Sequence, residues 1–206
     1  MTKKISSPIQ DIALIGLGSV GAGLAAKALA KSIRVRALDP GDRARVNALK
    51  LIEHSWPSLR KLGLTDASAP DLTNLEFFDT IQEAVSDTKI VIENVPEDLD
   101  LKRNVISEID AAGLSSALIL SSAGGIAASE MQIGCNYPER VLVMHPFNPS
   151  HLIPLVEIVP GKHTSKDAVQ TAQSFARSIG KLPIVLEREM SGHMVNRHQF
   201  ALDRAA

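Results

Sequence analysis

The chain has 206 residues, of which 45% are hydrophobic and 22% charged, and its aromatic content of 3% makes any core mainly aliphatic. Lys and Arg total 22 against 23 Asp and Glu, so no basic field is present to attract nucleic acid or an anionic membrane, and a small-molecule ligand is expected. Cys135 is the only cysteine, which excludes an internal disulfide and a cysteine-based zinc site, and the histidine spacing indicates no metal site.

The N-terminal segment superficially resembles a signal peptide, because Lys3 and Lys4 precede an apolar stretch over residues 12–30. Asp11 lies just before this stretch and Lys27 interrupts it, and its glycines are better explained by the motif described below. We therefore expect a cytoplasmic protein without membrane spans.

Eight short apolar runs rich in Ile, Val and Leu predict strands. In chain order they read DIALIG, IRVRALD, LEFFD, KIVIEN, ALILSS, RVLVMH, LVEIV and PIVLE. Because longer helical patterns separate most of these runs, the alternation is typical of an α/β fold with a doubly wound, mostly parallel sheet.

Helical spacing of apolar residues predicts four longer helices, over residues 20–31, 43–61, 99–111 and 166–179. Shorter helices are predicted over residues 80–85 and 127–133. Pro57 lies inside the second long pattern and predicts a bend or a split there.

The character of the sequence changes after Glu187, where no strand signal follows and the pattern predicts a turn and then a helix. We therefore divide the chain into a first domain over residues 1–188 and a short segment over residues 189–206. This segment is expected to be the first helix of a second, all-helical domain.

A glycine motif connects the first strand to the first helix. Gly16, Gly18 and Gly21 have G-x-G-x-x-G spacing, in which the first allows a tight turn, the second a close approach to a pyrophosphate, and the third close packing of helix on sheet. A chance glycine turn and a methyltransferase binding adenosylmethionine are the alternatives. The strand–turn–helix context favours a Rossmann-type dinucleotide site.

Asp39 ends the second predicted strand about 20 residues after the glycines, where a carboxylate can accept hydrogen bonds from the adenosine ribose. Its charge would repel a 2′-phosphate, so NAD is favoured over NADP as the cofactor. Arg43 and Arg45 could accommodate such a phosphate, but we interpret both as solvated helix charges.

Three further segments, VIENVPEDLDLK, HPFNPSHLIPLVEIVPG and SGHMVNR, resemble the 3-hydroxyacyl-CoA dehydrogenase family in wording, order and spacing. The wording ENVPEDLDLK and HPFNP looks most like the branch with lambda-crystallin, gulonate 3-dehydrogenase and carnitine dehydrogenase. The resemblance implies NAD-dependent oxidation of the 3-hydroxyl of an L-3-hydroxyacyl-CoA or of a small polar 3-hydroxy acid.

The resemblance also implies the catalytic residues. His145 matches the family's catalytic histidine, Glu157 matches the carboxylate that pairs with it, and Asn196 matches the asparagine that orients the substrate oxygen. Oxidation of a secondary alcohol requires a base, and a histidine with an ordinary pKa of about 6.5 suits that task. Taken alone, His145 would be a hydrogen-bonded histidine at a strand end and Asn196 a capping residue.

Glu97, Lys102 and Asn148 match family positions near the cofactor, and Ser122, at the end of the fifth predicted strand, is assigned to the same site. Without the resemblance, Glu97 and Lys102 would be a solvated pair at a helix end and Asn148 a turn residue.

Two departures from the family keep a second function open. Gly124 replaces a family serine that contacts the substrate hydroxyl, with Ser121 or Ser122 as candidate substitutes, and relatives continue past the position of Ala206 into a helical domain that builds the dimer. Homodimerisation is thus expected only with that domain. The alternative function is an NAD-binding structural or regulatory module with little dehydrogenase activity.

Overall fold

The computed structural model describes residues 9–204, so the outermost ends of both predicted domains, together with Lys3 and Lys4, lie outside the described residues. The described chain forms one eight-stranded sheet in the order β3-β2-β1-β4-β5-β6-β7-β8. The strands are β1 (Asp11–Ile15), β2 (Arg34–Leu38), β3 (Leu75–Phe77), β4 (Ile90–Glu93), β5 (Leu118–Ser121), β6 (Val141–Pro146), β7 (Leu155–Pro160) and β8 (Leu182–Val185).

All eight predicted strands are confirmed, and so is the mostly parallel arrangement. Every neighbouring pair in the sheet is parallel except β6 and β7, which pair antiparallel. The order of the strands reverses between β1 and β4, because the chain moves outward to β2 and β3 and then returns to the other side of β1. Doubly wound sheets bind their ligands in the crevice at such a switch point.

Seven α-helices connect and flank the strands within the described residues. They are α1 (Ser19–Leu29), α2 (Asp42–Lys61), α3 (Ile81–Val85), α4 (Leu99–Ala112), α5 (Ala128–Met131), α6 (Lys166–Ser178) and α7 (Val195–Asp203). Several begin at side-chain caps: Asp98 accepts from Leu101 N–H, Ser165 from Ala168 N–H, and Thr80 forms a capping box with Glu83. Helix α2 runs unbroken through Pro57, so the predicted split does not occur.

The two faces of the sheet carry separate cores, as the doubly wound prediction requires. One core contains Leu24 of α1, Ile52 and Trp56 of α2, and Phe175 of α6. The opposite core contains side chains of α3, α4 and α5, among them Ile106. Both faces of the central strands are therefore buried, which explains their continuous apolar runs.

No helix found between residues 9 and 204 combines the length and the apolar character that a membrane span needs.

Candidate functional site: a nucleotide cleft and a histidine–glutamate pair

The glycine motif forms a tight turn at the carboxyl end of β1. Gly16 has φ +94°, and a Cβ atom there would lie 2.7 Å from the carbonyl oxygen of Asn94. At Gly21 a Cβ atom would lie only 2.1 Å from the carbonyl oxygen of Gly16, whereas at Gly18 it would meet nothing within 4 Å. Gly16 and Gly21 are therefore required by backbone packing, and Gly18 leaves open space beside the start of α1.

A cleft of about 850 Å³, here called the nucleotide cleft, lies above this turn at the switch point between β1 and β4. The Asp39 carboxylate at the end of β2 lines it and accepts hydrogen bonds from Leu17 N–H at 2.8 Å and Gly41 N–H at 3.3 Å. The cleft combines three features: an uncovered backbone at Gly18, a start of α1 without a side-chain cap, and a carboxylate held in place by backbone N–H groups. These features fit a dinucleotide with its pyrophosphate at α1 and its adenosine ribose at Asp39.

Several cleft residues were not identified from the sequence. Asn94, Val95 and Pro96 follow β4 directly, and their position at the end of a central parallel strand is the signal that could have identified them. Others come from the segment between β3 and α3, from the start of α3 and from α4, and they reach the cleft only through tertiary packing: Phe78, Asp79, Ile81, Leu101 and Val105.

Arg45 lines the nucleotide cleft, but it is not the freely solvated charge expected from the sequence. Its guanidinium donates to Asp79 Oδ1 at 2.5 Å and to the carbonyl oxygen of Phe78 at 3.2 Å. Arg43 is exposed, in agreement with the expectation for that residue.

The second part of the site is a histidine–glutamate pair on the two antiparallel strands. In the register of β6 and β7, His145 lies directly opposite Glu157, so both side chains lie on the same face of the sheet. His145 Nδ1 lies 2.9 Å from Glu157 Oε2. The His145 ring also contacts Phe147 edge-on, with 4.8 Å between ring centroids. The imidazole is therefore fixed with Nδ1 turned toward the carboxylate.

Glu157 is fully buried and uses both of its oxygens. While Oε2 pairs with His145, Oε1 accepts the backbone N–H groups of Met194 and Val195 at 3.0 Å each, at the start of α7. Burial alone acts to raise the pKa of Glu157, but the hydrogen bonds from His145, Val195 and Met194 outweigh it and hold the pKa below the ordinary 4.5. Glu157 is thus a carboxylate at neutral pH.

Position 124 lies between the other candidate groups. A Cβ atom on Gly124 would lie 3.4 Å from both His145 Nε2 and Asn196 Nδ2. Asn196 Nδ2 donates to the carbonyl oxygen of Gly124 at 2.8 Å. The structure therefore brings His145, Glu157 and Asn196 together, with Nε2 of the histidine facing the space that a side chain at position 124 would enter.

His193 is a part of this site that was not identified from the sequence. It is fully buried with φ +49°, its ring centroid lies 5.3 Å from that of His145, and its Nε2 lies 2.9 Å from the carbonyl oxygen of Ala123. Burial, the largest cause, lowers the pKa of His193. The ring is therefore neutral and donates to the loop that carries Gly124.

Glu97 and Lys102 do not line the nucleotide cleft. Glu97 Oε1 accepts the backbone N–H groups of Gly124, Gly125 and Ile126 at 3.0, 2.9 and 3.3 Å. Lys102 is 1% exposed and its ammonium pairs with Glu93 at 2.8 Å. In this arrangement both side chains support the loops around the site, and their direct contact with the cofactor stays a prediction.

Ser122 and Asn148 are placed at strand ends beside the site. Ser122 directly follows β5 and is half-buried, while Asn148 is exposed and precedes a cis peptide bond to Pro149. Their assignment to the cofactor site also stays a prediction.

Two buried lysines hold the turn that follows β6. Lys181 Nζ donates to the carbonyl oxygens of Ser150 and Ile153 at 2.5 and 2.7 Å, and Lys27 Nζ to that of His151 at 3.5 Å. Burial lowers the pKa of Lys27 to about 8 and that of Lys181 to about 7, with a smaller contribution to each from a neighbouring lysine. These amines stabilise the turn through their hydrogen bonds, but their burial costs free energy because a charged amine loses its hydration.

No cluster of three or more potential metal-binding side chains occurs in the part of the chain that the structure describes.

Comparison with known proteins gives a consistent result. Residues 11–190 match the family model described as 3-hydroxyacyl-CoA dehydrogenase, NAD binding domain. An L-carnitine dehydrogenase from Oceanobacillus iheyensis is 40% identical over 198 residues, which cover 96% of this chain and 64% of that protein. Another from Nocardiopsis dassonvillei is 42% identical over 96% of this chain and 60% of that protein.

A solved structure agrees with these relatives. The crystal structure of 5-formyl-3-hydroxy-2-methylpyridine 4-carboxylic acid 5-dehydrogenase, an NAD-dependent dismutase, aligns with a TM-score of 0.87 and 36% identity over 96% of this chain. This chain covers 63% of the length of that one, and thus spans somewhat less than two thirds of each of these three proteins.

Proposed function

This chain belongs to the 3-hydroxyacyl-CoA dehydrogenase family, and on that premise we propose that it oxidises the hydroxyl group of a small polar L-3-hydroxy acid to the ketone, with NAD as its cofactor. The observation that carries the proposal is the 2.9 Å pairing of His145 Nδ1 with the buried Glu157 carboxylate. This pairing leaves Nε2 as the basic nitrogen, facing open space at Gly124.

His145 acts as the general base in this proposal. Because Glu157 accepts a hydrogen bond from Nδ1–H, the lone pair is on Nε2, which takes the proton of the substrate hydroxyl. The carboxylate also stabilises the imidazolium that forms. When bound, NAD would accept the hydride from the carbon that carries this hydroxyl group.

Asn196 orients the oxygen of the substrate. Its amide nitrogen and His145 Nε2 each lie 3.4 Å from the place that a Cβ atom at position 124 would take, and its second N–H can donate to an oxygen held there. A donor at this place stabilises the negative charge that develops on the oxygen as its proton leaves. Since Gly124 contributes no side chain, Asn196 is the main side-chain donor of the proposal.

The substrate class rests on the relatives. Both L-carnitine dehydrogenases are about 40% identical to this chain, and their named substrate carries a free carboxylate and a 3-hydroxyl group. We therefore favour carnitine or a hydroxy acid of similar size over an acyl-CoA. The alternative is an NAD-binding structural module without turnover, and the activity assays distinguish it from a dehydrogenase.

The direct test is calorimetric titration of the 206-residue chain with NADH and NADPH, followed by activity assays with carnitine, gulonate, 3-hydroxybutyrate and 3-hydroxybutyryl-CoA. We expect NADH to bind more tightly than NADPH, and the free hydroxy acids to be oxidised faster than the thioester. NADH binding without turnover of any substrate would favour the structural module instead.

His145→Ala tests the base. We expect turnover to fall by at least about a hundredfold while NADH affinity stays within a few-fold, because the histidine lies outside the nucleotide cleft. His163→Asn is the matched control, since it removes an exposed histidine on the turn after β7. Unchanged turnover in the His145 variant would contradict the assignment.

We also propose that the nucleotide-binding domain ends near residue 188, that α7 begins a helical domain, and that the protein is a cytoplasmic homodimer through that domain. The end of the family match at residue 190 and the exposed apolar side chains Phe200 and Leu202 on α7 support this division. Light scattering of the wild type and of a Phe200→Ser Leu202→Ser variant would test the dimer, which we expect to weaken in the variant.

A further inference from the structure

Arg45 is a cation placed beside the adenosine end of the nucleotide cleft. It lies in the first turn of α2, directly after the segment that carries Asp39, and both residues line the cleft. An arginine near the end of the second strand is the group that binds the 2′-phosphate of NADP in Rossmann-type domains. Arg45 therefore has the chemistry and the position to bind that phosphate.

The guanidinium already has partners at the wall of the cleft. It donates to Asp79 and to the carbonyl oxygen of Phe78, and it lies 5.6 Å above the ring of Phe77. These partners lie at and just after the end of β3, which is the neighbour of β2 in the sheet. The sheet order thus places a carboxylate within reach of the arginine although the two residues are far apart in sequence.

We propose that Asp79 is a specificity-determining residue that acts through Arg45 to disfavour NADP. Asp39 repels the 2′-phosphate, while Asp79 neutralises the arginine that would bind it and engages its donor groups. The inference rests on the proposed function, because it concerns the choice between the two nicotinamide cofactors at the same cleft.

The expected effect of Asp79→Asn on NADPH affinity is modest because the Arg45–Asp79 pair is partly exposed. The Arg45 side chain is 34% exposed and that of Asp79 84%, and such pairs are weak in water. A released arginine would gain a charge-assisted, two-pronged contact with a phosphate. We therefore expect Asp79→Asn to raise NADPH affinity by roughly three- to tenfold, and with it the ratio of NADPH affinity to NADH affinity.

The experiment measures dissociation constants for NADH and NADPH by titration of the full 206-residue chain. The variants are Asp79→Asn, Arg45→Gln and the double variant. Asp11→Asn is the matched control, since Asp11 pairs with Arg34 at 3.1 Å outside the cleft and its loss changes the net charge equally.

The inference is supported if Asp79→Asn alone improves NADPH binding, if adding Arg45→Gln abolishes the gain, and if Asp11→Asn has no effect. It is overturned if Asp79→Asn leaves NADPH affinity unchanged, if Asp11→Asn produces the same gain, or if the gain survives the loss of Arg45. A wild type that binds neither cofactor would overturn the proposed function as well. Tight NADH binding with turnover and an unresponsive Asp79 variant would overturn this inference alone.

Discussion

The nucleotide cleft and the histidine–glutamate pair are built in opposite ways at the same edge of one sheet. The cleft depends on missing side chains: Gly16 and Gly21 allow backbone to touch backbone, and Gly18 leaves the space open. The pair depends on two buried side chains, His145 and Glu157, which a strand ladder holds opposite each other. In the proposed function, the pyrophosphate of the cofactor is thus recognised by backbone shape, while proton transfer requires individually placed polar atoms.

The largest expected effect is the loss of turnover in a Glu157 variant, which should impair the histidine–glutamate pair and leave the nucleotide cleft intact. In Glu157→Gln the amide oxygen can still accept from Met194 and Val195, but the amide nitrogen then faces His145 Nδ1. The histidine must accept there and carry its proton on Nε2, so it loses the basic lone pair. We expect kcat to fall by about a thousandfold with NADH affinity unchanged, measured by steady-state kinetics and titration. A large loss of NADH affinity would show that the two regions are not separable.

The glycine turn provides the converse test. Gly21→Ala forces a Cβ atom against the carbonyl oxygen of Gly16, and we expect it to lower the free energy of unfolding by about 2–4 kcal/mol. Gly18→Ala meets no neighbour, so it should fold normally and instead weaken NADH binding about tenfold or more, by blocking close approach of the pyrophosphate. Thermal unfolding and NADH titration distinguish the two, and equal stability of both variants would contradict this account.

Gly124→Ser adds a side chain beside the histidine–glutamate pair, at a position where this chain has none. The new Cβ would lie at contact distance from His145 and Asn196, so a hydroxyl fits beside the substrate oxygen. Since one such donor is worth at least a hundredfold in some enzymes, we expect a gain of about tenfold in kcat on the best substrate. A decrease in kcat with a raised KM would instead show that the substrate itself fills this space.

The smallest expected effect concerns the turn after β6. Burial lowers the pKa of Lys27 to about 8 in the folded chain, so between about pH 8 and 10.5 the unfolded chain binds more protons at this residue, and the stability rises with pH over that range. Lys27→Met removes this penalty at the expense of one long hydrogen bond. We expect roughly 1 kcal/mol of added stability at pH 7 that fades toward pH 10.5, by urea unfolding. Lys50→Met, an exposed control, should change neither value.

Most of the fold follows from local sequence. All eight strands were predicted. The buried central strands are short continuous apolar runs, and the glycine spacing placed the first turn correctly. The unbroken helix at Pro57 was not predicted, because tertiary packing of Trp56 and Ile52 outweighs the local preference of proline.

The site was only partly predictable. His145, Glu157 and Asn196 were identified through a family resemblance, and the structure brings them together. Local sequence could not show that Lys102 is buried against Glu93, since that ion pair depends on how α4 packs on the sheet. The Arg45–Asp79 pair likewise exists only because β3 is the neighbour of β2.

The ladder pairing of His145 with Glu157 has a consequence for how the family can diversify. Because the main-chain register places the two residues opposite each other, the intervening segment over residues 148–154 is not needed to bring the two side chains together. That segment is where the chain leaves the sheet beside the candidate site. If the proposed function holds, we expect exchanges there to alter which substrate is accepted while the pairing of His145 with Glu157 is kept, so that a new specificity would not require a new histidine–glutamate pair.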